Sequence, residues 1–412
     1  MPELLSPAGN IEKLKAAIRF GADAVYMSGP LFGMRAASAE MKREELAEAV
    51  SYAHAHGVRA YITVNTMPRE DEYEALREYL LFLGEVKPDA LIVADIGVLS
   101  LCRTLVPHIA LHMSTQANAV SAAACRAWAE LGASRIVLAR ELSLREIKMI
   151  RTALPEYIEL EAFVHGSMCV SYSGRCLLSS HMIGRDANRG QCAQPCRWHY
   201  KAFLYEEKRP HMPIPVEEER GETFFMSSTD LCMIEHVKNL MDAGVASFKI
   251  EGRMKSAYYT AVVTNAYRMA LDACKEGKSV PTDALMRELC SVSHRDYGTG
   301  FYFEDRPAAD AHITEKSLYT GEKAYLADVL SYDEESGVAH CVQRNKLSCG
   351  ELAEVLSPGQ TGVAFTVSYM TDTEGNPIDS APHPQMEFLL KMPFAVKVGD
   401  ILRAPPQSEE VC

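Results

Sequence analysis

REELAEAVSYAHAHGVRAYITVN, residues 43–65, contains the repeating unit that decides the fold. Its first part predicts an amphipathic helix over Arg43–His56, and Gly57 is the residue type that commonly follows a helix C-terminus. The β-branched run that comes next predicts a strand over Arg59–Asn65. A helix that leads through one glycine into a largely apolar strand indicates a parallel α/β sheet.

The same unit recurs along the first 255 residues. The predicted strands are Glu3–Ser6, Ala24–Met27, Arg59–Asn65, Ala90–Asp95, Ala110–Ser114, Arg135–Ala139, Ile158–Val164 and Ser247–Glu251. The predicted helices between them include Ile11–Phe20, Arg43–His56, Glu70–Phe82, Ala119–Leu131 and Leu144–Thr152. Eight alternations favour a (β/α)8 TIM-like barrel over an open doubly wound sheet. The first loop, SPAGN, also lacks the G-x-G-x-x-G pattern of such an open sheet.

The chain divides into three predicted regions. Residues 1–285 form the barrel, and residues 286–317, with the aromatic motif SHRDYGTGFYF, form a linker that packs on it. Residues 318–405 carry short alternating strands separated by turn clusters, which predict a small C-terminal all-β barrel module. Such modules often bind RNA or another protein, but many only support their neighbour.

Polar side chains follow several predicted barrel strands. The active sites of such barrels lie on the loops after the strand C-termini, so these residues are candidates for a site. They are Asn65, Asp95, Gln116, Arg140, His165, Glu251 and Arg253. Any one of them could instead cap a helix or bridge strands, and their convergence on one face is what indicates a site.

Four cysteines cluster in the long loop after the seventh strand. Cys169, Cys176, Cys192 and Cys196 lie within residues 165–201, a cysteine-rich insertion that holds a third of the chain's 12 cysteines. The opening MPELLSPAGN lacks the basic and apolar parts of a secretory leader, so we expect a reducing cytoplasm. Grouped thiols in that compartment more often hold a metal or a redox centre than a disulfide.

The cysteine spacing bears on which group would be held. No C-x2-C pair typical of zinc ribbons occurs, and four thiolates on an irregular, glycine-bearing loop suit a [4Fe–4S] cluster. Structural zinc and four unligated core thiols remain alternatives. Cys232 begins a predicted helix, Asp230–Met241, and is expected to be a core residue, with a role as a reserve ligand left open.

Charge is distributed unevenly along the chain. The net charge of −13 disfavours non-specific binding of nucleic acid over the whole surface. The cysteine-rich insertion is locally basic instead, with a single acid, Asp186, against Arg175, Arg185, Arg189, Arg197 and Lys201. This region could receive an anionic substrate. The longest apolar runs are interrupted by charge and too short to cross a bilayer, so no membrane role is expected.

The run EAFVHGSMCVSYSGRCLLSS, residues 161–180, resembles the collagenase-like family catalogued as peptidases of unassigned mechanism, family thirty-two. The family pattern is E-x-F-x-x-G-S/A-aliphatic-C, four residues, then G-x-C-x-aliphatic-S. The resemblance extends to ELLSPAGN, QCAQPCRWHY, SFKIEGRMKS, SHRDYGTGFY and the β tail. It therefore covers nearly the whole chain.

The resemblance implies an iron–sulfur protein of oxygen-independent hydroxylation. The layout of barrel plus β tail is similar to the tRNA uridine-34 hydroxylase branch, which uses prephenate to make 5-hydroxyuridine. By that similarity the metal ligands are Cys169, Cys176, Cys192 and Cys196, and the pocket is lined by Lys249, Glu251, Arg253, Gln116 and Arg140.

Candidate roles follow from the residue types. The catalytic candidates are Glu251, Arg253 and His165, and the substrate-binding candidates are Asn65, Gln116, Arg140, Lys249, Arg175 and Arg197. Because prephenate is a dicarboxylate, arginines at the barrel mouth could bind it by bidentate hydrogen bonds. We expect tRNA as a partner and a second subunit of the same family as a further one, with the oligomeric state left open.

Three other hypotheses stay open. The family's name implies a peptidase, yet neither H-E-x-x-H nor G-x-S-x-G occurs, which leaves a metal-independent or a cysteine peptidase, the latter using Cys169 with His165. Sister branches imply hydroxylation of a ribosomal RNA cytidine or of a quinone precursor. The chain could also be a non-catalytic subunit that binds its partner enzyme through the β tail.

Overall fold

The computed structural model describes residues 1–34, 41–169, 171, 174–198, 203–206, 209–215, 228–303 and 325–405. The strands of the first part are β1 Glu3–Pro7, β2 Ala24–Ser28, β3 Arg59–Val64, β4 Ala90–Val93, β5 Ala110–Met113, β6 Arg135–Val137, β7 Glu159–Ser167, β8 Phe203–Glu206, β9 Arg209–Pro215, β10 Asp230–Cys232, β11 Ser247–Ile250 and β12 Tyr297–Gly298. The helices are α1 Ile11–Arg19, α2 Arg43–Ala55, α3 Tyr73–Val86, α4 Ile96–Leu105, α5 Ala122–Glu130, α6 Leu144–Ala153, α7 Leu178–Ile183, α8 Val237–Asp242, α9 Ala257–Lys275 and α10 Thr282–Leu289.

Eight parallel strands close into a barrel. Strands β1 to β7 are hydrogen-bonded in chain order, and β11 pairs with both β1 and β7. The predicted (β/α)8 barrel is therefore confirmed. Gly57, which has a φ of +71°, follows the C-cap residue His56 just past the end of α2, in agreement with the prediction.

Strand β7 is longer than predicted at its C-terminal end. Its last residues pair with the antiparallel β10, so that Cys232 lies opposite His165. The predicted helix over Asp230–Met241 is wrong in its first part, because residues 230–232 form this strand and only Val237–Asp242 is α-helical. Cys232 is buried, in agreement with its predicted place in the core.

Apolar side chains lie on both faces of the barrel wall. The larger cluster packs between the strands and the surrounding helices, where residues such as Leu4 and Val25 meet Leu14 and Leu46. A second cluster lies on the alternate strand positions and therefore fills part of the barrel interior. Its members are Leu5, Ala24, Tyr26, Tyr61, Ala90 and Ile92. Charged and polar side chains occupy other interior positions.

The C-terminal module is all-β, as predicted. Its strands are β13 Tyr325–Asp333, β14 Val338–Gln343, β15 Leu347–Ser348, β16 Leu352–Leu356, β17 Val363–Thr366, β18 Met370–Thr371, β19 Pro377–Ile378, β20 Ser380–Ala381, β21 Glu387–Lys391 and β22 Ile401–Arg403. Eight of them form one antiparallel half-barrel sheet in the order β17-β16-β22-β13-β14-β21-β18-β19. Arg403 is fully buried, and it joins the module to the barrel through Glu288 of α10 at 2.7 Å.

The boundaries at residues 285 and 317 stay predictions. Residues 304–317 of the predicted linker lie outside the described residues, as does Lys201 of the cysteine-rich insertion. The described part of the linker does contact the barrel, since the Tyr302 hydroxyl donates to the Phe163 carbonyl at 2.6 Å. Across the described ranges, every helix is too short or too polar to cross a membrane.

Candidate active site

Arg253 extends from the loop after β11 toward the opposite side of the barrel. Its side chain is buried, with the residue only 6 % exposed, and Nη1 donates to Oγ1 of Thr63 in β3 at 3.2 Å. Thr63 in turn donates to the carbonyl of Met27. This contact holds the guanidinium of Arg253 near the C-terminal ends of the strands, where such barrels bind their substrates.

Glu251 lies beside Arg253 in the chain and is held by β2 and β7. Its backbone amide donates to the His165 carbonyl at 2.8 Å. The Tyr26 hydroxyl donates to the Ile250 carbonyl at 3.0 Å and lies 3.3 Å from Oε2 of Glu251. Tyr26 was not predicted, although its interior position in β2 follows from strand alternation. It is well placed to orient the carboxylate of Glu251.

Asn65 follows β3 and Gln116 follows β5 in the barrel wall. Oδ1 of Asn65 accepts from the Met34 amide at 3.0 Å, and Nδ2 donates to Oγ of Ser114 at 3.3 Å. Gln116 contacts the cysteine-rich insertion, because a Cβ on Gly174 would lie 2.5 Å from the Gln116 carbonyl oxygen. Gly174 also has a φ of +72°, so glycine suits this position on both counts.

Two predicted arginines hold the start of the cysteine-rich insertion. Nη1 of Arg140 donates to the Ser167 carbonyl at 2.8 Å, and its guanidinium carbon lies 4.7 Å from the centre of the Phe163 ring. Nη2 of Arg197 donates to the Met168 carbonyl at 3.2 Å. Both contacts place a guanidinium beside the segment that leads into Cys169. Asp95, by contrast, accepts from two amides at the start of α4 and caps that helix.

Lys249 is bound to a carboxylate inside the barrel. Its Nζ lies 2.8 Å from Oε1 of Glu161, a residue with no exposed surface, and Nη1 of Arg135 lies 3.3 Å from Oε2. Burial alone would raise the pKa of Glu161, but Lys249 and Arg135 outweigh it, so the pKa is lowered. Glu161 is thus an ionised partner of Lys249, and the amine predicted to face a substrate is already paired.

This pair belongs to a larger ion network that the sequence analysis missed. Arg135 also contacts Glu3 at 2.5 Å and Glu159 at 2.6 Å, and Glu3 forms a further ion pair with Arg59. Glu3, Arg59, Arg135 and Glu159 are each the first residue of a strand. The available signal was a charged residue at the start of four of the barrel strands, and this position places the network at the N-terminal end of the barrel.

His165, a predicted catalytic residue, lies among tyrosines. It is 1 % exposed, with the Tyr267 hydroxyl 3.4 Å from Nδ1 and the Tyr297 hydroxyl 3.4 Å from Nε2. Burial, with smaller contributions from His294 and Lys255, lowers its pKa to about 3. A neutral imidazole whose two nitrogens both face tyrosine hydroxyls is placed to support the wall between β7 and α9.

The four cysteines approach one another on separate parts of the insertion. All four are free thiols, with Cys169 exposed and Cys176, Cys192 and Cys196 half-buried. Burial raises the pKa of Cys196, opposed by Arg197 and reinforced by the thiols of Cys169, Cys192 and Cys176. Each of the other three thiols is therefore an electrostatic neighbour of Cys196. The Gln194 amide also donates to Sγ of Cys192 at 3.4 Å.

The donor set fits a metal centre in kind and number, though not in its present spacing. Four thiols and an amide that donates to sulfur are the groups that surround iron–sulfur clusters. Within the described ranges, however, no group of three or more His, Cys, Asp and Glu side chains is placed so that it could hold a metal ion.

Arg175 lies on the outer side of the same insertion. With Cys176, Leu177, Leu178, His181 and two serines it lines an open cavity of about 690 Å³. The structure thus brings Arg175 beside the thiols and places Arg253 and Glu251 at the strand ends. It binds Lys249 to Glu161 and surrounds His165 with tyrosines.

Fold and site together define a two-module (β/α)8-barrel protein with a four-thiol insertion at the C-terminal end of its strands. The chain belongs to peptidase family U32, whose family model matches residues 9–312. The model for the peptidase family U32 C-terminal domain matches residues 322–403. The resemblance read from the sequence is therefore confirmed for both modules.

Among the proteins similar to this chain, some are named tRNA hydroxylation proteins and one is named collagenase. The chain is 36 % identical to the tRNA hydroxylation protein P1 of Bacillus subtilis, over 98 % of this chain and 94 % of that protein. It is 35 % identical to the tRNA hydroxylation protein P of Escherichia coli, over 92 % and 91 % of the two chains. It is also 30 % identical to a protein of Porphyromonas gingivalis named collagenase, over 88 % and 87 %.

Proposed function

We propose that this chain hydroxylates tRNA in the cytoplasm without molecular oxygen, and that the reaction forms 5-hydroxyuridine at the wobble position with prephenate as co-substrate. The observation that carries the proposal is the end-to-end similarity to the tRNA hydroxylation protein P1, which includes both the barrel and the β module. Ribosomal RNA and quinone precursors are the competing substrates, and tRNA is favoured because it is the one named for relatives that match over more than nine-tenths of their length.

Cys169, Cys176, Cys192 and Cys196 are the proposed ligands of a [4Fe–4S] cluster, with structural zinc as the alternative. Support comes from the four free thiols, from their mutual electrostatic influence, and from the amide that donates to Cys192. A bound cluster would supply one-electron chemistry, which zinc does not. In this proposal the insertion's own residues hold the group next to the barrel mouth.

Arg253 and Arg140 are the proposed carboxylate-binding residues for prephenate. Arg253 contacts Thr63 and Arg140 contacts the Ser167 carbonyl near the strand C-termini, where a barrel binds its substrate. A guanidinium can grip a carboxylate by two parallel hydrogen bonds, so the two arginines match the two carboxylates of prephenate. Glu251, oriented by Tyr26, is the proposed group that accepts or donates a proton at the substrate.

A cysteine peptidase is the second candidate function, supported by the relative named collagenase. It would require a thiol activated by a neighbouring imidazole. The obvious pair, Cys169 and His165, does not suit that role, because the imidazole is buried and both its nitrogens face tyrosine hydroxyls. This geometry favours the hydroxylase.

The test is the nucleoside content of tRNA from a strain that lacks the gene and is grown without oxygen. Loss of 5-hydroxyuridine derivatives, restored by the wild-type gene, is the expected result. Cys176→Ser should not restore them, whereas Cys274→Ser, in a half-buried position on α9, should. Unchanged tRNA nucleosides would refute the proposal, and a change confined to ribosomal RNA would redirect it.

The metal assignment is tested separately on protein purified anaerobically. Iron, acid-labile sulfide and zinc are measured per chain for the wild type, Cys176→Ser and Cys274→Ser. A [4Fe–4S] cluster requires about four irons and four sulfides, lost in Cys176→Ser alone. Stoichiometric zinc would replace the cluster with a structural site. The hydroxylase could then be kept only if the nucleoside test supported it.

A further inference from the structure

We propose that the outer face of the cysteine-rich insertion is the RNA-docking surface, and that it binds a single-stranded loop by phosphate contacts and base stacking. We call the exposed side chains of this segment, Arg175, Leu177, Met182, Arg185 and Trp198, the docking face. The inference rests on the proposed function, because it names the surface by which that same site would receive its RNA.

Charge is the first argument. The described residues 174–198 contain four arginines and one aspartate, in a chain whose net charge is −13. Arg175 and Arg185 are both exposed. The one acid, Asp186, is half-buried, and its carboxylate accepts from the Asn188 amide at 2.9 Å. A local positive surface on an acidic protein attracts a polyanion to this face in preference to the rest of the molecule.

Exposed apolar groups are the second argument. Leu177 is 69 % exposed, Met182 41 % and Trp198 39 %, all within the same basic segment. Large apolar side chains that stay in water beside arginines are typical of surfaces that stack unpaired bases. A duplex has no free base faces to offer, so the combination favours a single-stranded loop.

The docking face is fixed relative to the barrel mouth. Arg189 forms an ion pair with Glu72 in the connection between β3 and α3, which fastens the insertion to the barrel. Gly174 lies against Gln116 of the loop after β5. An RNA loop held on this face would therefore sit beside the ends of the strands, where a base turned out of the loop could enter.

An acidic protein is the competing occupant of a basic surface. It would use the arginines but would have no need of an exposed indole for stacking on bases. The two occupants can therefore be distinguished by separate measurements on Trp198 and on the arginines. If RNA is bound, the contribution of Trp198 to the affinity should not depend on salt, whereas that of the arginines should.

The experiment measures the affinity of anaerobically purified full-length protein for an unmodified tRNA transcript at several salt concentrations. The variants are R175A/R185A and W198A. The matched control is R126A/R287A, which removes two exposed arginines from α5 and α10. Iron content and circular dichroism confirm that each variant is intact.

R175A/R185A should weaken binding at least tenfold at low salt and reduce the slope of log affinity against log salt by about two, one for each phosphate contact. W198A should weaken binding about tenfold with an unchanged slope. The control should bind as the wild type does. A single-stranded anticodon-loop RNA should compete, and an RNA duplex of equal length should not.

Wild-type affinity in both variants, or an equal loss in the control, would overturn the docking face. Absence of RNA binding by the wild type would do the same and would leave an acidic protein as the occupant to test. Failure here is distinguishable from failure of the proposed function. If tRNA nucleosides depend on the gene but the variants bind and modify normally, only the docking face is wrong.

Discussion

The two ends of the barrel use charged residues in opposite ways. At the N-terminal end, Arg135 is surrounded by carboxylates and neutralises them. At the C-terminal end, Arg140 donates to a backbone carbonyl and Arg253 to a hydroxyl. The contacts at the N-terminal end are therefore ionic and join the strands, whereas the two contacts named at the C-terminal end lie where a barrel binds its substrate.

The motif SFKIEGRMKS places two basic residues at different positions along the barrel axis. Lys249 and Arg253 are four residues apart and were both predicted to line the pocket. Lys249 lies within β11 and pairs with Glu161, while Arg253 lies beyond the strand and reaches Thr63. Position along the strand therefore decides whether a basic residue of this motif lies inside the barrel or near the C-terminal ends of the strands.

The largest effect is expected from Glu161→Gln. The substitution removes the carboxylate from Lys249 and Arg135, both of which are buried. Breaking a buried ion pair from one side typically costs about 3–5 kcal/mol, because the remaining charge is left without compensation. Urea unfolding of the purified protein would measure the loss as a lower midpoint.

Glu159→Gln is the matched control for that experiment. Glu159 contacts the same guanidinium of Arg135, but its side chain is 47 % exposed. Water can replace the lost partner there, so the change in unfolding free energy should stay below about 1 kcal/mol. Equal losses in the two variants would show that burial does not set the strength of this network.

The second prediction concerns acid. Burial, followed by Arg135, lowers the pKa of His112 to about 3, and burial likewise lowers that of His165 to about 3. Both are neutral in the folded protein, but they take up protons in the unfolded chain once the pH falls below their usual value of 6.5. Stability is therefore complete above pH 6.5 and decreases toward pH 3.

Each histidine should lower the unfolding free energy by about 1.4 kcal/mol per pH unit once the pH is well below its usual value. Between pH 6 and pH 5 the pair should therefore cost about 2 kcal/mol. Urea unfolding at these two pH values measures the sum, and His165→Gln should remove about half of it. If the unfolding free energy of that variant changed with pH as steeply as that of the wild type, His165 would be protonated in the folded state.

The regular spacing of apolar residues explains why the barrel could be predicted from the sequence. The eight barrel strands and the glycine after α2 follow from apolar periodicity and helix-ending preferences, which are local properties. The position of His165 could not be predicted in this way. The register between β7 and β11 shifts between Lys249 and Ile250, opposite His165, so simple alternation fails at that residue.

The contacts of the site were harder to predict because they join distant parts of the chain. Residue type and spacing singled out Arg253, Glu251 and the cysteines. The contacts of Tyr26 and Thr63 depend on how the strands pair, so they could not be predicted from the sequence. The pairing of Lys249 with Glu161 likewise depends on the register between β11 and β7. The cysteine ligand set stays a prediction.

The third prediction addresses the C-terminal end and rests on prephenate as the co-substrate. Arg140→Gln should raise the prephenate concentration needed for half-maximal tRNA modification about tenfold, since a hydrogen bond to a charged group contributes about 1.5–3 kcal/mol. Arg140→Lys keeps the charge but lacks the planar guanidinium. Its half-maximal prephenate concentration should therefore lie between that of the wild type and that of Arg140→Gln. Arg126→Gln on α5 should behave as the wild type, and an equal rise there would remove Arg140 from the binding site.

The smallest effect is expected from Glu72→Gln, which breaks the ion pair between Arg189 and the β3–α3 connection. Its two side chains are 27 % and 32 % exposed, in contrast to the buried Lys249–Glu161 pair. Because water replaces much of the lost contact, the unfolding free energy should change by less than about 1 kcal/mol. Cleavage of the cysteine-rich insertion in limited proteolysis should nevertheless become faster, since local opening requires less free energy than global unfolding. A stability loss as large as that of Glu161→Gln would mean that both ends of the barrel depend on ion pairs for the fold, and the proposed difference between them would be wrong.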